Sequence, residues 1–394
     1  MNKILKLFIV LLAFFIAGCT PVFIKENEQI VIDNATGQSE NQVTLQNTQN
    51  SEDEILIKSI NSSLTDGLVY DISKYGKFLL IGKLSSTVTG DVETVHNYLN
   101  LHTYDIKNTQ LKQVLASSKQ QVSGLIDNKN QGYLYIDYNT DKEGNVINNS
   151  YKLNWSDYDG NITKYISKSD ESVSEKFSVT EDNRIIYGNT KGQIKFVDID
   201  DINNDNRIET SYQLSEPLNI YKIDYYEKFK LAFFLAYNEK TNTTDLYYAI
   251  LEKNNIDPIF LEENVTDFDM STEKKAIIYC ASGEKTNKLV YLDIFSYYNK
   301  KVLYEGLVGS FSFSLDGEKI IYSEKINESS NNENLWVMET DGSTPKQLAS
   351  SLKIASDKII FHPSKDIIYF SVYELDEKNS NEISYKVYTI DYSY

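Results

Sequence analysis

The sequence predicts an all-β chain folded as a closed ring of seven four-stranded sheets, and three observations carry that prediction. Apolar, strand-like runs recur at intervals of 43 to 54 residues between Phe78 and Phe370. Short polar turns rich in Asp, Asn and Gly stand between the runs. One unassigned strand-like run precedes the first repeat, and the last repeat stops one strand short of a full unit. Self-similarity at this period is the signature of a β-propeller, in which each repeat is one blade. Rings of six or eight blades and a pair of stacked β-sandwiches are the competing readings. A Greek-key sandwich does not demand so regular a spacing.

The clearest unit is Gly309 to Leu348, with four short apolar runs at Ser310–Phe313, Lys319–Tyr322, Leu335–Met338 and Lys346–Leu348. Leu315-Asp316-Gly317 joins the first two and Asp341-Gly342-Ser343 the last two. Such corners suit hairpins because Gly accepts the positive φ the turn requires. Taking the third apolar residue of each second strand as a marker gives Ile81, Tyr135, Tyr187, Phe233, Tyr279, Tyr322 and Tyr369. Seven markers imply seven blades. The unassigned run Ile55–Ile60 is expected to pair with Tyr385–Tyr392, which closes the ring and removes an exposed sheet edge. No substantial helix is expected beyond the N-terminal leader.

The residues of the clear unit also carry a family resemblance. Phe313-Ser314-Leu315-Asp316-Gly317, Ile320-Ile321-Tyr322, Leu335-Trp336-Val337-Met338 and Asp341-Gly342-Ser343-Thr344-Pro345-Lys346-Gln347-Leu348 resemble the repeat of TolB-like β-propellers. That repeat reads Ser-Pro-Asp-Gly at its first turn, and Leu315 stands where its Pro is expected. The resemblance implies a propeller that acts as a binding partner of other envelope proteins. It transfers no individual binding residue.

The first 18 residues read as a targeting segment. Lys3 and Lys6 form a positive end, and Leu7 to Ala17 is an unbroken apolar run of 11 residues. That length is short for a bilayer of roughly 30 Å but suits a signal h-region. The run ends in Ile16-Ala17-Gly18-Cys19, which resembles a bacterial lipobox, so Cys19 is the expected lipidation site. Acyl chains on Cys19 anchor the chain to the membrane, each buried CH₂ contributing ~0.8 kcal/mol. Residues 19–53 read as a tether, polar from Asn34 onward and poor in groups to bury. A flexible segment of this length spans roughly 30–35 Å. The propeller domain is assigned to 54–394.

With 57 acidic against 39 basic residues the net charge is −18, a balance that disfavours nucleic acid as a partner. The 30 Tyr and 5 Pro agree with extensive β-structure. With Cys19 acylated, Cys280 has no intrachain partner. Its setting in Ala276-Ile277-Ile278-Tyr279-Cys280 is that of a small buried hydrophobe.

Motifs for common chemistries are absent: the chain contains no Gly-x-Ser-x-Gly elbow, no His-Glu-x-x-His and no glycine-rich phosphate loop. His96 and His102, six apart on one strand, stand ~20 Å apart and do not share an ion. His362, before Pro363, takes the place of the repeat's Ser and is expected to stabilise a turn. A candidate calcium loop follows the strand ending at Asp198, with Asp201, Asn203, Asp205, the carbonyl of Arg207 and Glu209 as oxygen donors. Asn206 replaces the usual Gly, and the twelfth-place Glu is missing, position 212 being Tyr. A solvated polar hairpin loop is the alternative. Paired tyrosines (Tyr225-Tyr226, Tyr247-Tyr248 and Tyr297-Tyr298) place one ring inward and one outward, so half are expected in blade packing and the others suit sugar or peptide recognition.

The sequence as a whole reads as a lipid-anchored extracytoplasmic protein whose propeller is a non-catalytic binding module for a protein or cell-envelope ligand. It requires no cofactor beyond a possible Ca²⁺. A polysaccharide- or solute-sensing module and a carboxylate-based envelope hydrolase or lyase are the alternatives.

Overall fold

A computed structural model of the chain describes residues 28–32, 43–47, 56–89, 94–141, 145–147, 150–168, 170–199, 209–239, 241–296, 299–356, 358–375 and 383–393. Seven sheets, each built on four antiparallel strands, form the blades of a β-propeller. Blade one runs from Leu68 to Gln113, blade two from Gln120 to Tyr165, and blade three from Ser178 to Leu214. Blade four covers Asn219 to Glu262, blade five Val265 to Gly306, and blade six Val308 to Leu352. The sheet of blade three gains Asn255–Ile256 as a fifth strand, and that of blade six is extended by two N-terminal strands. The weakly marked repeats around Ile136 and Phe233 are full blades like the rest.

Blade seven takes three strands from Ile360–Phe361, Ile367–Leu375 and Ile383–Ser393, and its outer strand from Leu56–Asp66. Ile57 lies opposite Tyr392, Ile60 opposite Ile390 and Asp66 opposite Lys386. Within the stretch the sequence assigns to the tether, Glu28–Ile32 and Val43–Asn47 pair as an antiparallel hairpin. Val31 bridges to Ser350 on the outer strand of blade six.

The marker residues are the interior of the ring. Ile81, Tyr135, Tyr187, Phe233, Tyr279, Tyr322 and Tyr369 are each buried to within 2%. They lie on the second strand, which has a neighbour on both sides within its own blade and a sheet packed against each face. Apolar side chains accordingly condense between adjacent blades. Ile320 and Tyr322 pack with Ile278 and Cys280 of blade five, and Tyr369 and Val387 of blade seven pack with Val69 and Ile81 of blade one. That last contact joins the two ends of the ring through its core.

The first turn of each blade shows how different sequences reach one geometry. In blade six, Gly317 adopts φ +71° while the Ser314 hydroxyl accepts the Lys319 N–H at 2.9 Å. In blade one, Ser73 takes the same role towards Lys77 N at 2.9 Å, with Gly76 at φ +63°. Blade seven substitutes an imidazole, His362 Nδ1 accepting the Ser364 N–H at 3.1 Å. Because strands alternate in direction, first and third turns share one face of the ring. Second turns and the connections between blades share the other, called here the connector face.

Candidate functional site

The first strand of every blade lines the axis, and in five of them the pairing register slips part-way along. The slips fall between Val69 and Asp71, Val122 and Leu125, Ile220 and Lys222, Val265 and Asp267, and Val308 and Phe311. An irregularity of this kind lets a side chain leave the alternation of the strand and turn towards a new direction. Asp71, Lys222 and Asp267 each directly follow one. A central channel of about 330 Å³ results, walled by Tyr70, Phe177, Phe268 and Phe311 and carrying Lys176, Lys222, Asp224, Asp267, Asp269 and Lys358.

The charges are organised into two groups. In the first, Asp267 of blade five accepts from Lys222 of blade four at 2.6 Å and from Lys176, ahead of blade three, at 3.3 Å. Lys222 also bonds the Phe268 carbonyl and lies 4.8 Å from the centre of the Phe268 ring. Burial pushes the Asp267 carboxyl up, but the two ammonium groups outweigh it and hold the group below the usual carboxylate range.

In the second group Lys358 of blade seven reaches across the ring to Asp269 of blade five, 3.4 Å away. The Asp269 charge, more than the opposing burial, holds Lys358 above its ordinary value, with Asp224 and Asp71 adding to the effect. The Lys358 side chain lines the channel and stays 60% exposed. Burial raises the Asp71 carboxyl to about 6 and also raises Asp224. Both Asp71 oxygens are occupied by amides, Ile72 N and Ile126 N at 2.8 Å each. Asp224 takes the Ser178 hydroxyl and the Tyr225 amide, also at 2.8 Å. Asp269 accepts Phe313 N at 2.9 Å. These carboxylates therefore pin neighbouring blades together where strands converge.

A second cavity, of about 540 Å³, lies beside the channel on the connector face between blades two, three and four. One wall is formed by Ser172, Val173 and Glu175, in the connection that leads from blade two to blade three. That connection is fixed by backbone bonds: Val173 N to Tyr151 O at 3.2 Å, Ser174 N to Gly188 O at 2.8 Å and Lys176 N to Tyr221 O at 3.1 Å. Its Glu171 is buried and paired with Lys195 at 2.9 Å, and Lys195 in turn holds Glu209 at 2.7 Å. The loop thus delivers Glu175 to the side cavity and Lys176 to the channel. Tyr151 donates to Glu175 at 2.5 Å, and Tyr221 and Tyr237 complete the aromatic lining.

Of the residues singled out by the sequence, Glu209, His102, His362 and Cys280 line neither cavity. Cys19, Asp201, Asn203, Asp205 and Arg207 fall outside the described residues. Glu209 is described, and its carboxylate is engaged by Lys195 and by Lys168 at 3.6 Å. Burial pushes the Glu209 carboxyl up, but Lys195 outweighs it and holds the group below its ordinary range. His102 is buried with Nδ1 2.9 Å from the Asn100 carbonyl, and burial lowers its pKa. Burial pushes the Cys280 thiol up to about 11 in a site with no solvent access. Among the described residues no three His, Cys, Asp or Glu side chains converge on a point that suits a metal ion.

The tyrosine pairs call for a correction. Tyr225 and Tyr226 are both buried, one packed between blades three and four and the other between blades four and five. Tyr247, buried, and Tyr248, half-buried, divide between the same two interfaces, because a strand inside a propeller has a sheet on each side. Tyr297 and Tyr298 lie outside the described residues. The channel charges were visible as single charged residues in apolar runs, such as Val69-Tyr70-Asp71-Ile72 and Ile220-Tyr221-Lys222-Ile223-Asp224, but their convergence required the ring.

No protein-family model and no curated relative matches the chain. The chain is similar in structure to an oligogalacturonate lyase from Vibrio parahaemolyticus, with a TM-score of 0.58 and 11% identity over 95% of this chain and 98% of that one. An oligogalacturonate lyase in complex with manganese gives 0.60 and 11%, over 86% and 98%. The Cps50 (Swd1) β-propeller domain of Myceliophteria thermophila gives 0.55 and 12%, over 85% and 99%. At such identities the likeness speaks to the fold. The chain is a seven-bladed β-propeller.

Proposed function

We propose that this protein is a lipid-anchored extracytoplasmic module whose propeller binds a protein or cell-envelope ligand without transforming it. The supporting observation is the channel, where lysines and aspartates from five blades neutralise one another and the carboxylates of Asp71, Asp224 and Asp269 accept backbone amides or a hydroxyl. Groups committed in this way hold a recess rigid, and a preformed recess binds with little ordering cost. The TolB-like pattern at Phe313–Gly317 and Asp341–Leu348 supports an envelope partner, and Ile16-Ala17-Gly18-Cys19 supports the anchor.

One observation favours a second reading, a carboxylate-based hydrolase or lyase: burial raises Asp224, which lines the channel, and Asp71, on the first strand of blade one, as acid–base groups require. Asp71, with both oxygens bonded to amides, is poorly placed to exchange a proton with a substrate, so binding is preferred.

The test combines fractionation with crosslinking. Cys19→Ala is expected to release the protein from the membrane fraction, and retention there overturns the anchor. A photo-reactive residue at Leu68, beside the channel, is expected to trap an envelope component. Turnover of an envelope polymer that disappears in Asp224→Asn supports the enzyme instead.

A further inference from the structure

We propose that the side cavity on the connector face is a glycan subsite that takes a short, uncharged, hydroxyl-rich saccharide segment. This deepens the binding-module reading and rests on it. The volume of about 540 Å³ falls within the ~300–1,000 Å³ typical of small-molecule sites. The lining combines the aromatic rings of Tyr221 and Tyr237 with the neutral hydrogen-bonding groups of Thr190, Asn219 and Thr244. A sugar ring presents the complement, an apolar C–H face with hydroxyls around its rim.

The decisive residue is Ser172. It is 6% exposed, lines the cavity, and its hydroxyl is buried with no hydrogen-bond partner among the described residues. The hydroxyl is closed off in this rotamer, so a turn of the side chain about Cα–Cβ is what presents it to a ligand. Pairing there offsets the about 1–3 kcal/mol that an unpaired buried hydroxyl costs. At the other wall, Tyr237 is 38% exposed and its hydroxyl is fixed by Asn242 at 2.5 Å, leaving the ring presented at the rim. The one charged side chain in the lining, Glu175, already accepts the Tyr151 phenol, and no Lys, Arg or His lines the cavity to hold an anionic ligand. A peptide segment is the competing occupant. It is less favoured because the lining supplies neither a free strand edge nor a paired charge for a terminus.

The full chain is titrated calorimetrically with neutral hexose and N-acetylhexosamine oligosaccharides of two to four rings. At least one is expected to bind, with Ser172→Ala and Tyr237→Ala each weakening it about five- to tenfold. Tyr75→Ala, on the opposite face, is expected to leave the affinity unchanged. Melting temperature guards against misfolding: Ser172→Ala removes an unpaired hydroxyl and is expected to melt no lower than the native chain. Thr244→Val supplies an independent lining variant should either fail. Absence of binding by every oligosaccharide, or binding unaltered in the lining variants, overturns the subsite. So does a peptide that binds in a Tyr237-dependent manner when no sugar does. A crosslinked envelope protein at the Leu68 probe alongside a negative sugar titration defeats this inference alone and leaves the binding-module reading standing.

Discussion

Lys222 and Asp267 meet 2.6 Å apart inside the channel, one from blade four and one from blade five, with side chains 18% and 22% exposed. An ion pair so placed makes a poor source of net stability, but removing one member leaves the other charge buried and short of a partner. Lys222→Met is therefore expected to destabilise the fold by about 1–3 kcal/mol, softened by the remaining Lys176 contact. Adding Asp267→Asn should recover part of the loss. A double-mutant cycle by denaturant titration measures the coupling, and additive losses would contradict the pairing.

Closure of the ring predicts a large effect from a small deletion. Removing residues 1–66 strips blade seven of the strand opposite Ile383–Ser393 and exposes the edge of a long strand. The truncated protein is expected to melt well below the full chain and to self-associate on size-exclusion chromatography. A monomer with an unchanged melting temperature would show that the strand contributes little.

The contact between blades one and seven makes Gly76 intolerant. Its φ is +63°, and a Cβ built there would lie 2.1 Å from His362 Nε2. Gly76→Ala is expected to cost about 1–3 kcal/mol from backbone strain and crowding together. Pairing it with His362→Ala should relieve the crowding and leave the strain, a partial rescue readable in the denaturation midpoint.

Asp71 gives stability a pH dependence of definite sign. Burial raises its carboxyl from 3.8 to about 6, so between these values the folded protein holds a proton that the unfolded chain has released. Stability from this group is complete below about pH 4 and lost as pH rises through about 6, up to about 2–3 kcal/mol. Asp267 acts oppositely, because Lys222 and Lys176 favour its charged form and its contribution fades on acidification. The stability difference between native protein and Asp71→Asn, measured from pH 4 to 7, should fall as pH rises. A flat difference removes Asp71 as the source.

The architecture was legible because a blade is a local object. Turn chemistry such as Leu315-Asp316-Gly317 and the apolar triplet ending at each marker act within a few residues, so they repeat visibly along the chain. His362 was legible for the same reason, standing where a turn needs an acceptor. The tyrosine pairs were misjudged since alternation identifies two faces of a strand without saying that both are covered.

The sequence by itself determined the number of blades, the spacing of their strands and the residues of their interiors, since local turns and burial patterns encode these within each repeat. Only the tertiary structure decided which charges meet. Asp71, Lys176, Lys222, Asp267 and Lys358 are separated by up to 287 positions, and a closed ring brings them to one axis because every first strand must face it. The side cavity has the same origin: Ser172, Tyr221 and Tyr237 share no sequence pattern and become neighbours through the path of one connection between blades.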